Sequence, residues 1–169
     1  MGVLPYLNQL RIGEEDSLSL EDKAKVLYPG KSRLNIAILR YPHMSNYDEF
    51  NALEHEQGVH VAYVQDAHSL ADADLLLLPG SKSVVSDLAW LRQQNLAEAL
   101  IQRAQRGQPI LGICGGFQML AQNIQDPHAV ESDRTLTQAL GLVAFDVLFE
   151  QQKITQRLTA RVKGFGIEK

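Results

Sequence analysis

The chain contains one cysteine, Cys114, in a segment whose composition could make it a nucleophile. Residues 109–114 form an apolar run of strand length, and a helical pattern begins within two residues behind it. Such a sharp turn crowds the backbone, and glycines at 112, 115 and 116 relieve the crowding because they lack a Cβ atom. The pattern is typical of a nucleophile elbow, in which the next backbone N–H, here that of Gly115, helps to stabilise an oxyanion.

A lone cysteine is more often a small, buried hydrophobic residue than a catalytic one. The glycines around Cys114 favour the catalytic interpretation, and the start of a helix stabilises a negatively charged sulfur. An α/β-hydrolase-like or peptidase-like cysteine enzyme would share such an elbow. One cysteine cannot form an internal disulfide, and no zinc-type Cys/His spacing occurs, so we expect a reducing compartment and no metal site.

A second loop that could do chemistry, residues 79–83, follows the apolar run 75–78 and reads Pro-Gly-Ser-Lys-Ser. Ligands of doubly wound parallel sheets bind outside the carboxyl ends of the strands, so this loop and the elbow should share one edge. Backbone N–H groups near Gly80 and Ser81 could supply a second oxyanion donor. The spacing of a phosphate-binding loop is absent. The plain alternative is an ordinary turn with Ser81 or Ser83 as a helix N-cap.

From residue 34 onward, apolar runs of strand length alternate with helical patterns, which predicts an α/β fold. We expect a flavodoxin-like, doubly wound, mostly parallel sheet. Strands are predicted at residues 34–40, 59–64, 74–78, 109–114, 142–149 and 158–163. Helices are predicted at 47–55, at 83–106 with a break near 94–95, and behind the cysteine, with apolar positions at 117, 120, 121 and 124. Gly107 should end the second helical stretch.

Length and composition fit one domain, with 169 residues of which 45% are apolar. Residues 1–32 differ from the rest, with an acidic cluster at 14–16 and a Pro-Gly pair at 29–30, and are predicted to be a linker that precedes a domain at 33–169. The net charge is −4 and basic residues are scattered, so nucleic acid and anionic membranes are not expected partners. Without a signal or membrane-spanning stretch, we predict a soluble, cytoplasmic protein.

The residues around the elbow resemble a known family. Gly112-Ile-Cys114-Gly-Gly116-Phe-Gln118 matches the Gly-x-Cys-x-Gly-x-Gln signature of class I, triad-type glutamine amidotransferases. Leu-Leu-Pro-Gly-Ser-Lys before it is similar to the cobyric acid synthase branch, and residues 41–50 resemble that branch's Ser-Asn-x-x-Asp-Phe-like stretch with a slight shift in spacing. Residues 2–18 resemble the junction between that branch's synthetase and amidotransferase domains, so the resemblance covers nearly the whole chain.

The resemblance implies an enzyme that hydrolyses glutamine through a γ-glutamyl thioester on Cys114. Gln118 and the backbone around Gly80 would contact glutamine or its oxyanion, although Gln118 could also be a polar residue on an exposed helix flank. The ammonia would pass to an ATP-dependent synthetase domain, fused or separate, which holds ATP and magnesium, while this domain needs no cofactor. In that branch the acceptor is a corrinoid, adenosylcobyrinic acid a,c-diamide, amidated at four carboxylates in cobalamin biosynthesis; a related branch amidates a cell-wall lipid precursor.

The family's catalytic histidine is the part of the pattern that this chain lacks. A histidine must act as base and then as acid in this chemistry, and in the family it follows a Gly-Tyr-x-Ile-His stretch. The comparable segment here is residues 164–168, with Glu168 at the histidine position. None of the five histidines matches that position, and we expect each on the surface or in a loop: His43, His55, His60, His68 and His128.

Two classes of function therefore remain open. The first is a glutamine amidotransferase domain that is truncated here, with Cys114 as nucleophile and with Gly80, Ser81, Gly115 and Gln118 binding the substrate or its oxyanion. The second is a degenerate, non-catalytic module that binds glutamine or a synthetase partner. In both cases we expect that the chain alone does not turn over glutamine.

Overall fold

The computed structural model describes residues 34–152 together with 155, 157 and 159. Along the chain the strands are β1 (Leu34–Leu39), β2 (Met44–Ser45), β3 (Val59–Val64), β4 (Leu75–Leu78), β5 (Gly80–Ser81), β6 (Ile110–Gly112), β7 (Asn123–Gln125), β8 (Leu136–Gln138) and β9 (Asp146–Leu148). The α-helices are α1 (Asn51–Glu54), α2 (Ala67–Ala71), α3 (Val84–Gln93), α4 (Leu96–Gln105) and α5 (Gly115–Met119), and a 3-10 helix, Tyr47–Phe50, leads into α1.

Four parallel strands form the central sheet in the order β3-β1-β4-β6. In register, Ala37 of β1 lies between Ala62 of β3 and Leu76 of β4. Counting only these strands, the order is 2-1-3-4, which is the flavodoxin-like pattern, and the direction of winding reverses between β1 and β4. The predicted α/β, mostly parallel fold is confirmed, and the strand reversal points to the carboxyl ends of β1 and β4 as the place for a ligand.

The central strands are buried because helices cover them, and their sequences are accordingly continuous in apolar residues. The last four residues of β1 and the last three of β4 are buried. Leu88 and Leu91 of α3 and Leu96 and Leu100 of α4 are each fully buried in the same core. No helix in the described part of the chain is long and apolar enough to span a membrane.

Two smaller sheets join the loops at the edge of the central sheet. Strands β2 and β5 pair antiparallel, with Met44 opposite Ser81 and Ser45 opposite Gly80. This pair links the loop after β1 to the loop after β4. Strands β8, β7 and β9 form a separate three-stranded sheet behind the elbow.

The predicted break in the long helical stretch is confirmed. Helix α3 ends at Gln93 and α4 begins at Leu96, and between them Asn95 takes a left-handed conformation with φ of 58°. The backbone N–H of Gly107 donates to the carbonyl of Ala104 at 2.9 Å, so this glycine closes α4 as predicted. Helix α2 was not predicted; its signal is Asp66, whose side chain accepts the Ser69 N–H and caps the helix.

The prediction of a helix through residue 124 is wrong. Helix α5 ends at Met119, and Ile124 lies in β7. Leu120, Ala121 and Ile124 are buried as the pattern required, but Leu120 and Ala121 lie in the turn after α5, and Ile124 is buried by the pairing of β7 with β8 and β9. Periodicity reports which residues are buried, and here long-range strand pairing overrides the local helical pattern.

The other predicted boundaries differ less. The strand predicted at 109–114 is β6 and ends at Gly112, and the strand predicted at 142–149 is reduced to β9. In both cases a hydrogen bond to the neighbouring strand lies just beyond the regular pairing, from Ile113 N–H to Leu78 and from Phe149 N–H to Gln125, each at 2.9 Å. The strand predicted at 158–163 and the linker predicted at 1–32 lie outside the described residues.

A buried arginine joins α4 to α2 and to the segments that lead into β4 and β6. Arg103 is 4% exposed, and its guanidinium donates to the carbonyl oxygens of Leu70 at 3.0 Å, Ala73 at 2.7 Å and Pro109 at 3.2 Å. Leu70 lies in α2, and Ala73 and Pro109 lie in the segments that precede β4 and β6. The planar fork of arginine suits several acceptors at once, so one side chain binds three backbone carbonyls, of which those of Leu70 and Ala73 are in buried contacts.

Replacing this arginine by methionine, Arg103→Met, keeps the apolar stem and removes the arginine donor from the Leu70 and Ala73 carbonyls, while the Pro109 carbonyl still accepts the Leu76 N–H. We expect the free energy of unfolding to fall by about 2–4 kcal/mol, measured by urea denaturation. Arg106→Met, at an exposed position near the end of the same helix, is the matched control and should change stability little. Equal effects of the two substitutions would contradict the structural role of Arg103.

Candidate active site

Cys114 occupies a sharp turn between β6 and α5. Its φ is 49° and its ψ is −115°, a strained conformation for a residue with a side chain. The turn is held by two backbone bonds, from Ile113 N–H to the Leu78 carbonyl at 2.9 Å and from Gly116 N–H to the Ile113 carbonyl at 2.8 Å. Cys114 itself is exposed, so it is not part of the core. This is the geometry that the glycine spacing predicts for a nucleophile elbow.

Two glycines let the elbow approach the rest of the site. A Cβ atom on Gly116 would lie 2.0 Å from the carbonyl oxygen of Leu78, at the end of β4. A Cβ atom on Gly115 would lie 2.7 Å from the backbone nitrogen of Ser81. Any larger residue would therefore collide with backbone atoms. The structure thus brings the elbow and the loop 79–83 into direct contact at one edge of the sheet.

The loop 79–83 is fixed by bonds to the segment after β1. Gly80 and Ser81 form β5, and the Lys82 N–H donates to the His43 carbonyl at 2.9 Å. The hydroxyl of Ser81 donates to Asp87 at 2.6 Å and accepts the Ser83 N–H at 3.0 Å. Gly80 is buried and Ser81 is partly exposed beside Gly115. The loop is therefore held by its side chains as well as by strand pairing.

The N-cap alternative is confirmed in position for Ser83 and not for Ser81. Ser83 occupies the N-cap position of α3, but its side chain makes no cap bond and its hydroxyl lies 2.9 Å from that of Ser86. The Val85 N–H in the first turn instead donates to Glu131 at 2.8 Å. Burial raises the pKa of Glu131, while its backbone donors act in the opposite direction. The first turn of α3 is thus capped from a distant loop.

That distant loop is organised by one carboxylate. Asp126 is 2% exposed and accepts the backbone N–H groups of Val130, Glu131 and Ser132 at 2.7 to 2.9 Å. The loop after β7 is thereby shaped so that Glu131 faces α3. Glu131 does not stand out in the sequence, because only the fold brings it to this helix.

A buried tyrosine supports the loop from beneath. The Tyr41 hydroxyl donates to the Pro79 carbonyl, and the side chain is 2% exposed. Burial raises the pKa of Tyr41 far above its usual range, and electrostatic interactions with Asp87 and Cys114 add to the shift. Tyr41 therefore stays neutral and remains a donor at any physiological pH. Its importance was missed from the sequence, where it is one of five tyrosines.

Gln118 lies on the same short helix as the elbow. Its backbone N–H donates to the Cys114 carbonyl at 3.1 Å, and its side chain is partly buried. The neighbouring Phe117 is 48% exposed and stacks on Phe145, with ring centroids 4.7 Å apart. The aromatic pair forms an apolar border next to the elbow.

Most histidines lie on the surface, as predicted. His43, His55, His68 and His128 are exposed, whereas His60 is partly buried in strand β3. His43 is the one that belongs to the site: its Nδ1 lies 2.9 Å from an Asp87 oxygen. Within the described residues, no group of three His, Cys, Asp or Glu side chains could hold a metal ion.

The fold and the elbow together define a class of protein, and comparison with known sequences assigns the family. Residues 35–168 match the CobB/CobQ-like glutamine amidotransferase domain. This match covers most of the 169 residues. The chain therefore belongs to the CobB/CobQ-like glutamine amidotransferase family.

The similar proteins compared with this chain are cobyric acid synthases. The chain is 48% identical to cobyric acid synthase of Sorangium cellulosum over 164 residues, which are 97% of this chain and 32% of that protein. It is 42% identical to cobyric acid synthase of Moorella thermoacetica over 166 residues, which are 98% of this chain and again 32% of the relative. The chain thus spans about a third of the length of these relatives.

Solved structures agree on the fold. A glutamine amidotransferase aligns with a TM-score of 0.52 at 18% identity, covering 67% of this chain and 55% of that one. A Listeria monocytogenes protein described as a peptidase E aligns with a TM-score of 0.55 at 16% identity, covering 75% of this chain and 69% of that one. At these identities the likeness concerns the fold, which both proteins share with this chain.

The contact between Gly116 and Leu78 can be tested by adding one methyl group. In Gly116→Ala the new Cβ would overlap a backbone carbonyl, and we expect a loss of about 3 kcal/mol or more in unfolding free energy. Gly107→Ala is the control, because nothing lies within 4 Å of the Cβ position there. Only the φ of +71° is unfavourable for alanine, so this substitution should lower the unfolding free energy by about 1 kcal/mol. Similar costs in urea denaturation would contradict the close approach.

The exposure of Cys114 predicts its reactivity. At neutral pH the folded protein should react with iodoacetamide faster than a free thiol such as glutathione, because the position of Cys114 at the start of α5, beside the Gly115 N–H, stabilises the attacking sulfur. Gly115→Val should abolish the difference by distorting the elbow. The same chain unfolded in urea is the control, and mass spectrometry measures the labelling. A rate no higher in the folded than in the unfolded chain would contradict this prediction.

Proposed function

We propose that this domain hydrolyses glutamine with Cys114 as the nucleophile. The sulfur attacks the side-chain amide carbon of glutamine, and the carbonyl oxygen becomes an oxyanion in a tetrahedral intermediate. Collapse of this intermediate forms a γ-glutamyl thioester and releases ammonia, and water then frees glutamate. The observation that carries the proposal is the exposed, strained Cys114 directly before a glycine that touches the loop 79–83.

The oxyanion would be bound by backbone N–H groups from two different segments, the elbow and the loop 79–83. Gly115 supplies one donor from the elbow, and Gly80 or Ser81 supplies the second from the loop 79–83. The close approach of Gly115 to the Ser81 nitrogen supports this pairing, because two donors must converge on one oxygen. Gln118, one turn further along α5, is proposed to contact the glutamine substrate.

The proton transfers need a histidine, and we propose that it is supplied from outside residues 1–169. The leaving ammonia must be protonated, and Glu168, at the corresponding position in the sequence, would hold no proton near neutral pH. A carboxylate beside the sulfur would also repel its negative charge. The chain alone should therefore bind glutamine without turning it over.

For the whole protein we propose an amide-forming ligase of the cobyric acid synthase type. The support is the shared name of the similar proteins, of which this chain covers 32%. Ammonia from this domain would pass to a synthetase domain that activates carboxylates of a corrinoid with ATP and magnesium. The step belongs to cobalamin biosynthesis.

A non-catalytic module is the alternative, and the strain at Cys114 weighs against it. A positive φ at a residue with a side chain costs of the order of 1–3 kcal/mol. Glycine at position 114 would remove that cost in a domain that only binds. The cysteine side chain in a strained, exposed turn is best explained by a use for its sulfur.

Glutamate release from glutamine tests the function. A form of the protein extended to the next downstream histidine should release glutamate, and Cys114→Ala should lower kcat by about a thousandfold or more. Cys114→Ser is the conservative control, because a hydroxyl is a much weaker nucleophile in the same geometry. Residues 1–169 alone should show glutamine binding by calorimetry and no turnover.

Two results would contradict the proposal in different ways. Turnover that survives Cys114→Ala would show that the nucleophile is wrong. Cys114-dependent turnover by residues 1–169 would show that one of the five histidines is the base, with His43 the first to replace.

A further inference from the structure

Asp87 is a buried carboxylate with no part in the nucleophilic attack, the oxyanion contacts or the proton transfers of glutamine hydrolysis. It lies in the first turn of α3 and is 0% exposed. A charged group that loses its water must be satisfied by hydrogen bonds, since otherwise its burial is strongly unfavourable. The partners of this carboxylate therefore indicate why the fold retains it.

The described partners of Asp87 come from the two loops that build the site. One carboxylate oxygen accepts the His43 backbone N–H at 3.1 Å and lies 2.9 Å from the His43 Nδ1. The other accepts the Ser81 hydroxyl at 2.6 Å. His43 follows β1 and Ser81 follows β4. One carboxylate therefore joins the two loops that flank the point where the direction of winding reverses. The contact to Nδ1 requires a proton on that nitrogen, which then donates to the carboxylate.

Ser81 connects Asp87 to the elbow. Its hydroxyl is bound to Asp87, and its backbone nitrogen lies 2.7 Å from the place of a Cβ on Gly115. Moving Ser81 would therefore move the loop relative to the Gly115 N–H. Two donors that share one oxyanion tolerate little displacement, because misplacement by about 1 Å can cost a hundredfold in rate.

We propose that Asp87 is a positioning residue for the reaction: through Ser81 and His43 it holds the loop 79–83 so that its backbone donor and the Gly115 N–H converge on the oxyanion. This inference rests on the proposed function. Asp87 does not touch glutamine in this scheme. Asp87 should therefore affect the rate of glutamine hydrolysis, in which negative charge develops on the carbonyl oxygen. It should not affect reactions of the Cys114 sulfur that form no oxyanion.

The test uses the form of the protein that hydrolyses glutamine. Asp87→Asn keeps the size of the side chain but replaces one of the two accepting oxygens by an amide nitrogen, which only donates, so the bonds from Ser81 and from His43 cannot all be kept. We expect kcat for glutamate release to fall about a hundredfold with KM nearly unchanged. Labelling of Cys114 by iodoacetamide should keep its rate, because displacement of iodide generates no oxyanion.

A second carboxylate of the chain provides a matched control. Asp66 also accepts a serine hydroxyl and a backbone N–H, from Ser69 at 2.7 and 2.9 Å, but it caps α2 beyond the edge strand β3. Asp66→Asn should leave kcat and labelling unchanged even if it lowers stability. A loss of kcat in Asp87→Asn alone therefore separates positioning from general destabilisation.

A double-mutant cycle identifies the route of the effect. Ser81→Ala removes the hydroxyl that Asp87 binds and should lower kcat about tenfold or more. Combined with Asp87→Asn it should cost little beyond Asp87→Asn alone, because both changes break the same link. Should Asp87→Asn fail to fold, the kcat and the unchanged labelling of Ser81→Ala carry the test.

Several results would overturn the inference. These are kcat values of both variants within about threefold of the parent, fully additive effects, or a parallel loss of kcat and iodoacetamide labelling. Failure of the underlying function is recognised separately, because glutamate release would then survive Cys114→Ala in the parent protein.

Discussion

The site depends on the close approach of two backbones, where the turn after β6 meets the end of β4. Only a residue without a side chain fits at Gly116, because the carbonyl of Leu78 occupies the place of its Cβ. The same crowding forces Cys114 to a φ of 49° and exposes its side chain at the edge of the sheet. Since β4 and β6 are hydrogen-bonded neighbours, the sheet itself fixes this contact.

Strand order then decides which loops surround the cysteine. The order β3-β1-β4-β6 brings the loops after β1, β4 and β6 to one edge, and the β2–β5 pair joins the first two of them. Buried polar groups complete the frame, with Tyr41 beneath Pro79 and Asp87 between His43 and Ser81. The core is mostly apolar, whereas the edge that carries the site is held by specific hydrogen bonds.

The elbow could be predicted because its cause is local. The glycines that permit the turn lie beside Cys114, within the seven consecutive residues 112–118. The strand at 59–64 could also be predicted from local sequence, because its run of mostly apolar residues favours a strand. Tyr41 and Asp87 could not, because their partners lie up to 44 residues away and tyrosine and aspartate are common in any surface helix or loop. The helix expected through residue 124 failed because a strand buried Ile124 equally well.

The overlap at Gly116 also constrains how such domains can diverge. The chain keeps 48% identity with one relative and 42% with another, so more than half of the aligned positions have been exchanged along these lineages. Most packing defects can be repaired by a second change nearby. No replacement of a neighbouring side chain moves a carbonyl oxygen of the sheet, so a lineage that loses this glycine has no gradual way back and should lose the turn in a single step.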